Sequence, residues 1–266
     1  MHHAHHVARV SYPVSFLHRF YVLVIAPLFV FGLVYLAVRL FPGSGTGDVV
    51  TFSTIIAACG ATLLRLMVAY AISALFAIPL ALLVERNRIF EAILLPLFDV
   101  FESIPNLAVL PILIIFFLYV HFLEGAAIMI LSLTMVWNIV FALVGGLQVI
   151  PKDVTYAARI FGLEGFSYVR RLVIPAVFPQ FVTGSILAVA QGWNIIIVAE
   201  ALRAYAPSGS SASDLFGIGS VLVHASAYSQ NGTYLTAFFA MVAVIALFNL
   251  LVWQKLLHYS QRFRFE

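Results

Sequence analysis

The sequence has very few charged residues. Only 9% of its 266 residues are Asp, Glu, Lys or Arg, whereas 63% are hydrophobic. Soluble domains carry roughly 25% charged residues, so this composition excludes an ordinary water-exposed surface. We therefore predict a polytopic membrane protein.

Cysteine and the usual catalytic motifs are also lacking. The single cysteine, Cys59, excludes an intrachain disulfide and any site that needs several thiolates. The sequence has no GxxxxGK[ST] motif, so no P-loop in this chain can hold nucleotide phosphates. It shows no Ser–His or Asp–Asp pair and no His-rich metal set at matched depth in the spans. The tip MHHAHH could bind a metal, and a disordered tail or a cloning-derived sequence is the alternative. We predict no catalytic residue, no metal site and no cofactor on this chain.

Most of the sequence consists of long apolar runs. Six of them are long enough for a bilayer, which needs about 20 helical residues per span. They cover residues 20–41, 62–84, 92–118, 124–147, 176–199 and 233–254. The third run holds Pro96, Pro105 and Pro111, and we expect it to break into a short helix and a spanning one. The predicted fold is all-α, with six transmembrane helices and the first run kept as a membrane anchor.

Basic residues favour one orientation of these helices. With both termini in the cytoplasm, most of the 14 Lys and Arg residues fall in inside segments, which satisfies the positive-inside rule. The Gly-, Ser- and Pro-rich stretches 42–48 and 207–214 then lie outside. Neither stretch has a strand or helix period. The second belongs to an outside connection of roughly thirty residues, and an unstructured connection of that length is uncommon and more often functional or flexible than inert.

Residues 153–175, DVTYAARIFGLEGFSYVRRLVIP, interrupt the apolar pattern on the predicted cytoplasmic side. Asp153 can cap a short helix, and Gly162 can end it in a left-handed conformation. Apolar residues between them recur at helical spacing and form one predicted stripe: Val154, Ala157, Ala158 and Phe161. A second short helix is expected at 166–173, before Pro175 in the first turn of the fifth span.

Two interpretations of this segment are open from its periodicity. It could be a rigid docking element for another protein, with a polar rim of Arg159, Glu164, Arg170 and Arg171. It could equally be an amphipathic helix at the lipid headgroups, with its arginines meeting phosphates.

The residue pattern of the segment resembles the cytoplasmic loop of binding-protein-dependent ABC importer permeases. The family pattern is Glu-Ala-Ala, three residues, Gly, nine residues and Ile-x-Leu-Pro. Here Ala157-Ala158 is followed at the same spacing by Gly162, and nine residues later by Leu-Val-Ile-Pro at 172–175. The resemblance implies that this loop couples the chain to an ATPase, with Pro175 opening the next span.

One residue departs from the family pattern. Tyr156 stands where the family has its leading Glu, so the charge contact expected there cannot form in the same way. Arg159 or Glu164 could supply a substitute contact with the ATPase.

Further matches extend the resemblance over roughly residues 60–260 and indicate the nitrate/sulfonate/bicarbonate branch. They are the Arg-led helix at 65–86, the Pro96 to Pro111 stretch, GWNIIIVAEAL at 192–202 and FNLLVWQKLLHYSQRFRF near the end. The resemblance implies an N-terminal part, 1–52, and an importer permease domain, 53–266, with its coupling loop at about 150–175.

The same resemblance implies function and partners. The chain is expected in the inner (plasma) membrane, in contact with lipid, importing a small anion such as nitrate, sulfonate or bicarbonate. The implied partners are a cytoplasmic ABC ATPase dimer that binds ATP and Mg, a second identical or homologous permease subunit, and an extracytoplasmic solute-binding protein. No nucleic acid is expected among them.

Polar residues inside the spans are candidates for the translocation pathway, because polar groups are costly at membrane depth. Gln191 and Asn194 are three residues apart beside Trp193, and such neutral donors could pass an anion without trapping it. Trp137 and Asn138 could face the same cavity. The alternative for all of them is hydrogen bonding between helices.

Acidic residues are weaker candidates for an anion pathway. Asp99 and Glu102 would repel an anion, and their position near Pro105 suits a wet interfacial segment. Glu200, at the outer end of the fifth span, could meet the binding protein or line an outer gate. It could also be solvated as part of a loop.

Two other functions are compatible with a polytopic chain. A secondary transporter driven by an ion gradient would need charged residues deep in several spans and repeated halves. An intramembrane enzyme would need paired catalytic groups. The sequence shows neither feature.

Overall fold

The computed structural model of the protein describes residues 50–263, apart from the side chains of Arg86 and Arg159. The first predicted span, 20–41, lies outside this range. Within the range, every regular element is helical, and this confirms the predicted all-α class.

Ten α-helices follow one another along the described residues. They are α1 (Phe52–Arg86), α2 (Arg88–Ser103), α3 (Asn106–Tyr119), α4 (Glu124–Gln148), α5 (Lys152–Ile160), α6 (Gly165–Tyr168), α7 (Ile174–Glu200), α8 (Ile218–Ala227), α9 (Asn231–Phe248) and α10 (Gln254–Ser260). A π-helical turn at Val169–Val173 joins α6 to α7, and a second one at Asn249–Trp253 joins α9 to α10.

Four helical stretches are long and apolar enough to cross a membrane: Phe52–Glu85, Glu124–Gln148, Gly165–Glu200 and Asn231–Phe263. A fifth arises if α2 and α3 together form one span, since they meet at an angle of 84°. The bend falls at Ile104 and Pro105, which both have extended backbone. The predicted break in the third apolar run is therefore confirmed.

The helix α4 lies at the centre of the bundle, packed between α1 and α7. Gly184 of α7 allows a close approach, because a Cβ atom at that position would lie 2.5 Å from Ala142 Cβ and 3.0 Å from the Asn138 carbonyl oxygen. Leu66 of α1 and Met135 of α4 fill the space beside Gly192 in the same way. The three central helices are thus packed together through glycines of α7.

The helix α1 begins at Phe52, earlier than the predicted start at residue 62. The additional turns belong to a small second core between α1, α8 and α9. Its buried members are Ile55, Ala58, Cys59, Ile218, Leu222 and Ala237.

The same core accounts for a helix that the sequence did not indicate. The stretch 207–214 has no helix or strand, as its lack of a period predicts, but the connection after it contains α8. Its apolar side packs on α1 and α9, and its first backbone N–H groups are bound by side chains of α1 and α7. Such contacts across the chain override a local sequence rich in Gly and Ser.

Candidate functional site

The predicted cytoplasmic loop contains a short helix, α5, directly after Pro151. The amides of Val154 and Thr155 donate to the Pro151 carbonyl at 3.1 and 3.3 Å. Asp153 was predicted to cap this helix, and that prediction is wrong because the helix already includes Lys152. Asp153 lies instead in the first turn, where its negative charge suits the helix dipole.

Gly162 ends α5 in the predicted way. Its φ of 71° is in the left-handed region, which residues with a Cβ atom rarely adopt. The chain reverses here, and the Leu163 amide donates to the Ala158 carbonyl at 2.9 Å. The glycine therefore separates α5 from the chain that enters α6.

The exposed surface of the loop is mainly large and apolar. Tyr156, Ile160 and Phe161 are 58%, 83% and 84% exposed, whereas Ala158 is only 5% exposed. Ala157 and Glu164 are also exposed.

The predicted apolar stripe therefore does not form one surface. Ala158 is buried, Val154 is half-buried and Phe161 is open to the surroundings. Ala157 is exposed as well, so only Ala158 of the predicted stripe is buried. The side chain of Arg159 is outside the described part of the structure.

The second predicted short helix is not separate from the fifth span. The helix α6, the π turn and α7 form one continuous helical stretch from Gly165 to Glu200. Pro175 has no N–H, and the preceding Ile174 amide donates to Val169, five residues earlier. The wide turn lets the helix continue through the proline.

Gln191 and Asn194 lie on a side of α7 that the described residues leave uncovered. Both are exposed, as are Thr183 and Leu187 at matching helical positions. Asn138 of α4 is half-buried, and its carbonyl oxygen lies beside Gly184, two turns of α7 before Gln191. The uncovered side of α7 is thus a polar stripe in a membrane-spanning helix.

The two tryptophans take other positions. Trp137 stacks on Phe101 of α2, with ring centroids 6.0 Å apart, and also contacts Phe98 at 5.5 Å. Adjacent helical residues point about 100° apart, so Trp137 and its neighbour Asn138 face different elements. Trp193 is half-buried against the main core. The structure does not bring Trp137 to Gln191.

Glu200 is fully buried, at 0% exposure. The guanidinium of Arg65 in α1 forms an ion pair with its carboxylate. Thr62 Oγ1 donates to Glu200 Oε1 at 2.7 Å, and the Gly219 amide donates to Oε2 at 2.7 Å. The interpretation of Glu200 as a solvated loop residue is wrong, because every side of the carboxylate meets a protein donor.

The ion pair extends to the start of α4. Arg65 Nε and Nη2 each donate to a carboxylate oxygen of Glu124 at 2.8 Å. Arg65 Nη2 also donates to the Phe216 carbonyl at 3.3 Å, and the Ile218 amide donates to Thr62 Oγ1 at 2.9 Å.

We call Thr62, Arg65, Glu124 and Glu200 the Arg65 cluster. It links α1, α4 and α7 to the first turn of α8. In the sequence, only Arg65, a charged residue within an apolar run, indicated such a cluster.

No metal centre is present in the part of the chain from residue 50 to residue 263: no three His, Cys, Asp or Glu side chains lie close enough together to hold an ion.

Comparison with known proteins identifies the family. A family model described as the binding-protein-dependent transport system inner membrane component matches residues 73–264. The chain is 32% identical over 171 residues to the bicarbonate transport system permease protein CmpB of Synechococcus elongatus, covering 64% of this chain and 56% of that protein.

The names of two further relatives specify other solutes. The nitrate import permease protein NrtB of Leptolyngbya laminosa is 31% identical over 160 residues, covering 60% of this chain and 56% of NrtB. The taurine transport system permease protein TauC of Escherichia coli is 24% identical over 144 residues, covering 54% of this chain and 51% of TauC. The chain spans little more than half the length of these relatives. With most of its length matched by the family model, it belongs to the binding-protein-dependent transport system inner membrane components.

Proposed function

We propose that the chain is the membrane-spanning permease subunit of an ABC importer that carries a small anion. In this proposal the apolar run 20–41 adds a sixth span to the five that the helices α1 to α10 can form. Both termini and α5 lie in the cytoplasm, as the distribution of Lys and Arg favours.

One observation carries the proposal. The short helix α5 stands between two spans, α4 and α7, and exposes Tyr156 and Ile160, with the exposed Phe161 directly after it. Large apolar side chains that cluster on a small exposed element are typical of a protein contact. Family membership supports an ATPase as the partner, and this ATPase would bind ATP and Mg, since the chain has no P-loop of its own.

The uncovered polar stripe of α7 supports a pathway shared with a second permease subunit. Gln191 and Asn194 are exposed within a span, and amide groups facing lipid are unfavourable. A second subunit, identical or homologous, would cover this side of α7 and enclose the amides in a polar channel. Amide N–H groups can bind an anion without carrying a positive charge themselves. The anion is therefore held less tightly than by a cationic side chain and can be released quickly.

The relatives support the class of cargo. Their names specify bicarbonate, nitrate and taurine, each of which contains an anionic group. We propose a small inorganic anion or organic sulfonate, delivered by an extracytoplasmic binding protein to the outer end of the bundle, which in this proposal is the end with α8 and the Arg65 cluster.

Co-purification with the ATPase tests the proposal. The double variant Tyr156→Ala/Phe161→Ala removes exposed side chains only, so the chain should fold and lose the ATPase. Gly162→Pro should act similarly, since proline cannot adopt a φ of 71°. The control is Tyr228→Ala, which removes an aromatic side chain that is 73% exposed at the other end of the molecule. Retention of the ATPase by the double variant would contradict the proposal.

A further inference from the structure

An apolar groove lies at the end of the bundle from which α5 projects. Its volume is about 320 Å³, and every residue that lines it is apolar. The helices α1 and α4 form two of its sides, and the π turn with the start of α7 forms the third. Among its lining residues are Ile78, Val169, Val173, Ile174 and Phe178.

The groove opens sideways, towards the surroundings of the bundle. Ile78 and Ile174 on its rim are 43% and 52% exposed. Both belong to helical stretches that are long and apolar enough to span a membrane, so the opening faces the bilayer. Lipid has direct access to it in the described part of the structure.

Two basic residues lie in the turn that borders the groove. Arg170 and Arg171 lie in the π turn between the lining residues Val169 and Val173, and both are exposed. Within residues 50–263, no carboxylate lies within ion-pair distance of either guanidinium. The turn that borders the apolar slot thus carries two positive charges.

An aromatic group with a third arginine packs on Phe178, which also lines the groove. The Phe178 ring packs edge-to-face on Tyr259 and Phe263, at 5.9 and 5.6 Å between centroids. Arg262 lies 5.8 Å from the centre of the Tyr259 ring. Aromatic and basic side chains together are typical of the level of the lipid headgroups.

We propose that the groove is a phospholipid site, in which one acyl chain fills the apolar slot and Arg170 and Arg171 bind the phosphate of an anionic headgroup. Basic pockets between spanning helices on the cytoplasmic side favour anionic lipids, and a guanidinium binds phosphate oxygens through paired hydrogen bonds. The proposal needs only a bilayer around the bundle and does not depend on the cargo or on the ATPase.

The chemistry of the groove favours an acyl chain over an extended peptide. An extended peptide would bring N–H and C=O groups against side chains that offer no hydrogen bond, which is unfavourable. An acyl chain has no such groups.

Occupancy would affect the loop that carries α5. The groove is bounded by the π turn that follows α6, and by α1 and α4 on its other sides. A bound acyl chain fills the space between these three elements and holds the turn in place. Removal of the lipid should therefore increase the mobility of residues 165–173.

Lipid retention tests the proposal. The protein is purified in a mild detergent from membranes that contain both anionic and zwitterionic phospholipids, and the lipid bound per chain is measured by native mass spectrometry. We expect the wild type to retain about one anionic phospholipid per chain, the stoichiometry set by a single groove. The variant Arg170→Gln/Arg171→Gln should lose most of it, and Ile174→Trp should reduce it several-fold by blocking the opening.

Matched controls accompany both variants. Leu251→Trp adds the same ring at a position that is also 52% exposed and lies in the other π turn. Arg88→Gln removes an exposed arginine at the start of α2. Both controls should retain lipid like the wild type. A wild type that retains no lipid, retention that ignores headgroup charge, or equal losses in variants and controls would each overturn the proposal.

Discussion

Arg65 and Glu200 lie 135 residues apart in the sequence and form an ion pair that is almost entirely buried, at 5% and 0% side-chain exposure. Two charges can be buried in this way only if hydrogen bonds satisfy their remaining donors and acceptors. Glu124, Thr62 and the Gly219 amide supply those bonds. The end of the bundle opposite α5 is therefore held by one connected polar cluster.

Removing the cation from this cluster should destabilise the fold. In Arg65→Met, Glu200 remains buried without its opposite charge, and we expect a loss of about 3–5 kcal/mol in the free energy of unfolding. Thermal unfolding in detergent measures the change. Arg65→Met/Glu200→Leu should recover part of the loss, and a double variant no more stable than Arg65→Met would contradict this account. Arg203→Met, at an exposed position, should change little.

The hydroxyl of Thr62 has two tasks that a methyl group cannot perform. It donates to Glu200 and accepts from the Ile218 amide at the start of α8. Thr62→Val keeps the shape and leaves a buried N–H without a partner, so we expect a loss of about 1–3 kcal/mol. Hydrogen exchange should show faster opening of α8, while exchange in α4 stays unchanged.

The contact at Gly184 should not tolerate a methyl group. An alanine Cβ would meet Ala142 and the backbone of α4, neither of which can move aside easily, so Gly184→Ala should destabilise by about 1–3 kcal/mol. Gly145→Ala is the matched control, since it adds the same group to a helix with nothing within 4 Å. It should be neutral or stabilising by up to about 1 kcal/mol. Equal effects in the two variants would contradict the packing described for α4 and α7.

A Cβ atom at Gly162 affects conformation only, because the surrounding space is open. Gly162→Ala forces a residue with a side chain to a φ of 71°, which costs about 1–2 kcal/mol locally. We expect weaker ATPase binding with an unchanged unfolding temperature of the bundle. Gly60→Ala, which also has open space but a helical backbone, should leave ATPase binding unaffected.

The polar stripe of α7 should affect transport and not stability. Gln191→Leu and Asn194→Leu change exposed side chains, so the unfolding temperature should stay within error of the wild type. Uptake of the anion in reconstituted vesicles should fall several-fold, because the pathway loses its hydrogen-bond donors. Leu75→Ala, 69% exposed on α1, serves as the control. Full uptake in both α7 variants would remove these amides from the proposed pathway.

The helices themselves could be predicted well from the sequence. The apolar runs located α4 and α7 to within a few residues, and Pro105 indicated the break between α2 and α3. These features depend on the local sequence only. An apolar run favours a spanning helix, and the missing N–H of proline interrupts a helix, whichever helices pack beside it. The end of α5 at Gly162 is local in the same sense.

The relations between helices could not be predicted in this way. The sequence indicated a solvated or gate-lining position for Glu200, because no neighbouring residue in the chain shows that Glu200 forms an ion pair with Arg65. The helix α8 was missed since its stability depends on Thr62 and Glu200 from other helices. Trp137 and Asn138, adjacent in the sequence, separate because the two sides of α4 meet different neighbours.

The unbroken helix from Gly165 to Glu200 has 36 residues and a length of about 54 Å at 1.5 Å per residue. A bilayer core is about 30 Å thick, so this helix extends well beyond it. It carries the α5 loop at one end and the Glu200 carboxylate at the other. A tilt imposed at the α5 end must then displace Glu200 at the opposite end of the helix, with the π turn as the place where strain can be relieved.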